Sequence, residues 1–336
     1  MAKRSPAEQL NLAIDALLAR PQQSPVPRPS ANVAELLTVV RQLRDLPRLE
    51  FKARLKSDLH RRASMSESTA TSRVQPEPAD FRPPGFPNIA PYFVVEGGAE
   101  FIAFLAQAFE GAERGRFARP DGKIVHAAVA IGNSVVEIGD ANEEIQARPA
   151  TTHVYVKDAD KTFARALDAG AKSIFLPTSD HPSGDRWGAL RDPFGNVWHI
   201  ATPGSWALGT PGMPLSVQPY LQLKEAHKMI PFLESAFNAK ALGLAKSPDG
   251  ILLHATVEIS GATLEIGEAH GEFQPMPCLL HVYVPDPDAL YAQALKAGAT
   301  TIEPPQEKPY GERSAAVKDA FGNMWYLARY QGGPRT

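Results

Sequence analysis

The sequence predicts an α+β fold of two similar domains that follow a helical N-terminal region. Two observations carry this expectation. Residues 91–201 and 219–328 repeat one series of motifs at a shift of 128 residues, which becomes 127 near the end. Within each copy, period-two apolar runs and two amphipathic helical stretches fall in the order βαβββ followed by βαβββ, so each copy is a pair of units. A repeat this long marks two domains rather than a solenoid of short units. The boundaries that follow are a helical region at 1–63, a Pro-rich linker at 64–87, and domains at 88–204 and 214–330.

Residues 6–20 read as a helix, with Ser5 as N-cap, Pro6 in the first turn and Leu10, Ile14, Leu17 and Leu18 along one stripe. Pro21, Pro25, Pro27 and Pro29 forbid helix next. A second helix begins near Ser30, lined by Leu36, Leu37, Val40 and Leu43 and ended by Pro47; a third spans 48–62, with Phe51, Leu55 and Leu59 at four-residue spacing. Short amphipathic helices rarely stand alone in water, so these are expected to dock on the body or on a protein partner. The linker is rich in Ser, Thr, Pro and Glu and reads as extended.

Each copy opens on a strand, at 89–95 and 216–223. A helix follows whose apolar side carries Phe101, Ile102, Leu105 and Phe109 in the first copy and Met229, Ile230, Leu233 and Phe237 in the second. In the first copy, strands are expected at 112–118, 125–131, 134–138 and 153–156. A second helix at 161–169 stops at Gly170, and strands at 173–176, 188–191 and 197–201 complete the copy.

With 43% hydrophobic and 21% charged residues among 336, the composition is that of a soluble globular chain. No apolar run approaches the roughly 20 residues that span a bilayer, so no membrane association is expected. One cysteine, Cys278, excludes an internal disulfide framework, and a cytoplasmic location is the expectation. Residues 1–62 hold 12 Lys and Arg against 6 Asp and Glu, whereas the remainder holds 23 against 31. The acidic body is a poor partner for a phosphate backbone, which argues against nucleic-acid binding. The basic N-terminal segment has an acidic surface of its own chain available to it.

The motifs resemble a known family. His153-Val-Tyr155-Val and His281-Val-Tyr283-Val, with Asp192-Pro-Phe-Gly-Asn196 and Asp319-Ala-Phe-Gly-Asn323 following in order, are similar to the vicinal oxygen chelate superfamily of glyoxalase I, bleomycin-resistance proteins, extradiol dioxygenases and PhnB-like proteins. Gly184-Asp-Arg186 and Gly311-Glu-Arg313 look most like the PhnB-like branch. The resemblance covers residues 88–330 and implies two glyoxalase-like domains, each a pair of βαβββ units. It does not by itself settle function, because one scaffold hosts lyases, isomerases, oxygenases and binders.

Metal-using members take their ligands from four fixed strand positions. The first copy offers Ala90, Glu137, His153 and His199 there, and the second Gln218, Glu265, His281 and Tyr326. If the domains pair as glyoxalase I subunits do, one shared site gathers Gln218, Glu265, His153 and His199, and the other gathers Ala90, Glu137, His281 and Tyr326. The resemblance then implies a divalent metal (Zn, Ni, Co, Mn or Fe) on the first set and a metal-dependent lyase or isomerase acting on a small oxygenated substrate, with Glu265 as proton carrier. The alternative is a metal-free protein that binds a drug or metabolite in an aromatic cleft. Trp187, Arg186 and Tyr220 are the candidate pocket residues under either reading. The extradiol dioxygenase set of two His and one Glu within one domain is missing from both copies.

Each candidate also has a structural reading. Glu137 and Glu265 alternate with apolar residues and suit the open face of an antiparallel sheet. His126 and His254, which recur at one register of the repeat, read as sheet-surface residues. The Asp-x-Phe-Gly-Asn segment reads as a turn without chemistry.

Overall fold

A computed structural model describes residues 81–143, 145–180, 184–204 and 216–332. The three N-terminal helices and most of the linker expected from the sequence lie outside the described residues.

The first copy supplies strands β1 (Ile89–Val95), β2 (Ala112–Ala118), β3 (Ile124–Ile131), β4 (Ser134–Asp140), β5 (Thr151–Tyr155), β6 (Lys172–Thr178), β7 (Arg186–Arg191) and β8 (Val197–Thr202). Helices α1 (Gly98–Phe109) and α2 (Ala159–Asp168) cross between them. The second copy supplies β9 (Ser216–Leu223), β10 (Lys240–Lys246), β11 (Leu252–Ile259), β12 (Ala262–Glu268), β13 (Leu279–Tyr283), β14 (Thr300–Lys308), β15 (Glu312–Lys318) and β16 (Met324–Tyr330), with α3 (Met229–Phe237) and α4 (Pro287–Lys296). The order is βαβββ four times over. Among the described helices none is long and apolar enough to cross a membrane.

The strands do not stay with their own copy. Sheet I runs β14-β15-β16-β13-β1-β4-β3-β2, and sheet II runs β10-β11-β12-β9-β5-β8-β7-β6. Each eight-stranded sheet therefore joins the first unit of one copy to the second unit of the other. The seams are antiparallel, β1 on β13 (Ala90 opposite His281) and β5 on β9 (His153 opposite Gln218). Within each unit the first and last strands pair in parallel, as β1 does with β4 and β5 with β8, because a helical crossover separates them.

The helices form from the residues expected. Phe101, Ile102, Leu105 and Phe109 of α1 are buried, as are Met229, Leu233 and Phe237 of α3, whereas Ile230 is only partly so. Asp140, at the end of β4, accepts hydrogen bonds from the amides of Gly97, Gly98 and Ile124 (3.0, 2.8 and 2.6 Å), so a carboxylate closes the N-terminal end of α1. Glu268 does the same for the amides of Glu225 and Ala226, each at 2.8 Å. Phe93 of sheet I stacks on Trp198 of sheet II (centroids 5.4 Å apart), and one hydrophobic core cluster draws buried residues from both copies.

The Asp-x-Phe-Gly-Asn segment is more than a connection. The buried Asp192 carboxylate accepts from the amides of Phe194 and Asn196 (each 2.9 Å), from Asn196 Nδ2 (2.8 Å) and from the Trp198 indole (2.8 Å). Asn196 Oδ1 in turn accepts from the Ala150 amide at 3.0 Å. Asp319, Asn323 and Trp325 repeat the network. The motif fastens the turn to the largest core side chain and to the strand before the next one. The end of the linker is likewise part of the body: the Phe81 carbonyl accepts from the Tyr330 amide (2.9 Å), and the Phe86 ring meets Tyr283 edge-on at 6.0 Å.

Candidate functional site

The seams bring side chains of both copies onto one face of each sheet. On sheet II, period two puts His153 and Tyr155 of β5, His199 of β8, Gln218 and Tyr220 of β9, His254 of β11, Glu265 of β12 and Trp187 of β7 on that face. His199, His153 and Gln218 stand in one cross-strand row, since His153 is the register partner of both. Glu265 is opposite Tyr220, two residues along β9 from that row.

Glu265 is the centre of site II. His153 Nδ1 donates to its Oε2 at 2.6 Å, the Tyr155 hydroxyl donates to Oε1 at 2.8 Å, and His254 Nε2 is 3.3 Å from Oε2. The carboxylate is 1% exposed. Burial pushes its pKa up, but the charge of His153 and the hydrogen bonds from His153 and His254 outweigh burial and hold it well below the ordinary carboxylate range. The Tyr155 hydroxyl moves the other way, raised by burial and by the neighbouring Glu265 charge. His199 is 5% exposed, and burial first and the nearby His153 second bring its pKa down to about 3, so it is a neutral imidazole.

Aromatic rings surround His199. Trp187 stacks on it at 5.8 Å, Tyr220 lies at 5.0 Å and Phe273 at 5.1 Å; Phe175 meets Trp187 edge-on at 4.6 Å. The Tyr220 ring fits because position 267 is glycine: a β-carbon there would run into the Tyr220 hydroxyl and ring edge. Gly139 makes the same room for Tyr92 in the companion site. This explains the Glu-Ile-Gly motif of both copies.

Site I, on sheet I, repeats the centre. His281 Nδ1 donates to Glu137 Oε2 at 2.9 Å, the Tyr283 hydroxyl to Oε1 at 3.1 Å, and His126 Nε2 is 3.2 Å from Oε2. Glu137 is fully buried, and its pKa is also held low by the two imidazoles against burial.

Two sequence expectations are revised and one pair of residues is added. His126 and His254 are not mere sheet-surface residues: each reaches the buried carboxylate across the hairpin. Their recurrence at one register was the available signal. Tyr155 and Tyr283, not singled out as site residues from the sequence, belong to the networks, and the His-x-Tyr spacing, which places both side chains on one strand face, carried that information. Arg186 does not line the site. It is next to Trp187 on β7, so it points to the opposite face, where its guanidinium forks onto Asp160 of α2.

The metal expectation meets a mixed donor set. Gln218 Oε1, His153 Nε2 and both ring nitrogens of His199 are buried without hydrogen-bond partners among the described residues. Glu265 is committed elsewhere, because His153, Tyr155 and His254 use both its oxygens. Among the described residues no group of three or more His, Cys, Asp or Glu side chains is arranged to hold a metal ion. An ion shared by all four expected ligands does not fit these side chains as they stand, since His153 would have to release Glu265. A surface hollow of about 600 Å³, lined by Glu96, Arg119, Lys123, Asn142, Glu143 and Gln146, does not include the residues of either network.

Known proteins share this architecture. A model of the Glyoxalase/Bleomycin resistance protein/Dioxygenase superfamily matches residues 89–200. An uncharacterized protein of Mycobacterium bovis, Mb0911c, is 36% identical over 128 residues, which cover 35% of this chain and 84% of that protein; Rv0887c of Mycobacterium tuberculosis is also 36% identical over 128 residues, covering 75% of its length. Glyoxalase I from Zea mays superposes with a TM-score of 0.56 at 17% identity, covering 72% of this chain and 92% of that one. A putative dioxygenase from Bacillus subtilis reaches 0.50 at 14% identity, covering 73% and 85%. These two likenesses concern the fold. With four βαβββ units paired across two sheets and relatives of this kind, the chain belongs to the glyoxalase/bleomycin resistance protein/dioxygenase superfamily.

Proposed function

We propose that the chain binds a small planar molecule at site II by hydrogen bonding and ring stacking, without a resident metal ion. One observation carries this: buried, unpartnered polar atoms of His153, His199 and Gln218 lie among the rings of Trp187, Tyr220 and Phe273 beside an ionised carboxylate. Each such atom costs about 1–3 kcal/mol until something pairs with it. A ligand that supplies those partners while its ring replaces ring–ring contacts is stabilised on both counts. Glu265 fixes His153 through Nδ1 and so presents Nε2 to the ligand. His199, being neutral, offers one donor and one acceptor. Gln218 Oε1 accepts.

The superfamily also contains glyoxalase I, and a metal-dependent lyase or isomerase is the competing reading. One experiment separates the two. The full chain is purified without chelators, its metal content is measured, and it is titrated calorimetrically with 2-naphthol and 2-naphthamide. Binding of either probe at one per chain, weakened about tenfold or more by Trp187→Ala, with no stoichiometric metal, supports the binder. One metal per chain that His199→Ala and Glu265→Gln both remove overturns it.

A further inference from the structure

Site I shows what site II is missing. The centres are the same: a Glu on the fourth strand of a first unit, a His and a Tyr on the first strand of the partner's second unit, and a second His across the hairpin. They differ on the far side of the central imidazole. In site I, Glu312 of β15 is fully buried and its Oε2 is 3.5 Å from His281 Nε2. His281 therefore lies between two carboxylates, with Glu137 at Nδ1 and Glu312 at Nε2. In site II the position equivalent to Glu312 is Asp185, one methylene shorter. Its Oδ1 accepts from the Gly204 amide at 2.6 Å, and no ion pair joins it to His153 among the described residues. Like His281 Nε2, His153 Nε2 is buried without a hydrogen-bond partner among the described residues, in a residue only 9% exposed, but no described carboxylate lies within ion-pair distance of it.

The walls differ in the same direction. Ser314 of site I is replaced by Trp187 in site II, Ile145 by Phe273 and Tyr326 by His199. Site I has thus filled the second face of its imidazole with a side chain of its own, and site II offers that face together with three aromatic rings. The groups facing His153 are Glu265, the Tyr155 ring at 4.2 Å, the His199 ring at 6.0 Å and Gln218 across the seam. None of them puts an anion on Nε2.

We propose that site II takes a planar carboxylic acid as its carboxylate, which meets His153 Nε2 where Glu312 meets His281 in site I. The ring of the ligand lies among Trp187, Tyr220 and Phe273. A ligand carboxylate there would stand on the second face of the imidazole as Glu312 stands 3.5 Å from His281 Nε2, and at hydrogen-bond distance it would gain a charge-assisted bond. This rests on the small-molecule reading above and adds the charged group that reading leaves open.

The test is calorimetric titration of the full chain with 2-naphthoate and with its neutral isostere 2-naphthamide. One naphthoate per chain, bound about tenfold or more tightly than the amide, is the expected result. Asp185→Glu, which gives site II the side chain of site I, abolishes the preference by occupying Nε2 from within. Should that variant melt well below the parent chain, His153→Asn replaces it, and the ratio of naphthoate to amide affinity falls to about one. Equal binding of the two probes by the parent chain, or a preference that survives both substitutions, overturns the carboxylate assignment and leaves the binder standing. Failure of naphthoate, naphthamide and 2-naphthol alike overturns the small-molecule reading itself.

Discussion

Glu265→Gln removes one charge at the centre of site II and changes no volume. In the parent chain the carboxylate receives His153 Nδ1 at 2.6 Å and the Tyr155 hydroxyl at 2.8 Å, with His254 at 3.3 Å. Hydrogen bonds to a charged group contribute about 1.5–3 kcal/mol each, and breaking a buried ion pair costs about 3–5 kcal/mol. The amide oxygen of Gln keeps one of the donors, but its NH₂ meets the other. A net loss of about 3 kcal/mol follows. At roughly 2–4 °C per kcal/mol for a body of this size, the melting temperature falls by about 6–12 °C at pH 7. The pH dependence has a definite sign. The folded pKa of Glu265 lies below its unfolded value of about 4.3, so the contribution is complete above that value and is lost as the pH falls through the lower, folded one. Thermal melts of parent and variant should therefore differ fully at pH 7 and converge on acidification below about pH 4. A difference under about 2 °C at pH 7, where the network predicts several times that, would refute the claim that His153 and Tyr155 hold an ionised Glu265.

Asp192→Ala leaves the Trp198 indole, the Asn196 side chain and two backbone amides without their acceptor, and urea unfolding should show a loss of about 3–5 kcal/mol. The Cys278 thiol, pushed up to about 12 by burial, should not react with an aromatic disulfide reagent at pH 8 until the chain is unfolded. His199, with a pKa brought down to about 3, should keep neutral imidazole ¹⁵N shifts from pH 5 to pH 8, whereas a titration in that range would contradict its burial.

Most of the fold was legible because it is repeated. Strand 112–118 and the first strands of both copies agree with the sequence expectation residue for residue, and other boundaries moved by at most two residues. The second helix begins at Ala159 rather than 161 because Asp158 caps it, its side chain accepting from the Lys161 amide at 3.0 Å. The site was legible in part. His153, His199, Gln218, Glu265, Trp187 and Tyr220 are brought to one face, as strand periodicity and cross-copy pairing require. Arg186 was misplaced by ignoring that same periodicity next to Trp187. The repeat register of His254 and the His-x-Tyr spacing placed these groups on the face of Glu265, but which carboxylate oxygen each donor reaches was not legible, because that depends on rotamers.

The sequence by itself determined the four βαβββ units, their order and the identity of every group now at the two centres, since local periodicity and turn chemistry act over a few residues. Only the tertiary structure decided how Glu265 spends its oxygens. That choice depends on hydrogen bonds across a seam between strands more than 100 positions apart, as the His153–Glu265 separation of 112 shows. Among the described residues neither His153 Nε2 nor His281 Nε2 has a hydrogen-bond partner, yet Glu312 stands 3.5 Å from the second and no carboxylate stands so near the first. One methylene separates Asp185 from Glu312 in composition, and its consequence exists only where the chain brings that carboxylate to the second face of an imidazole.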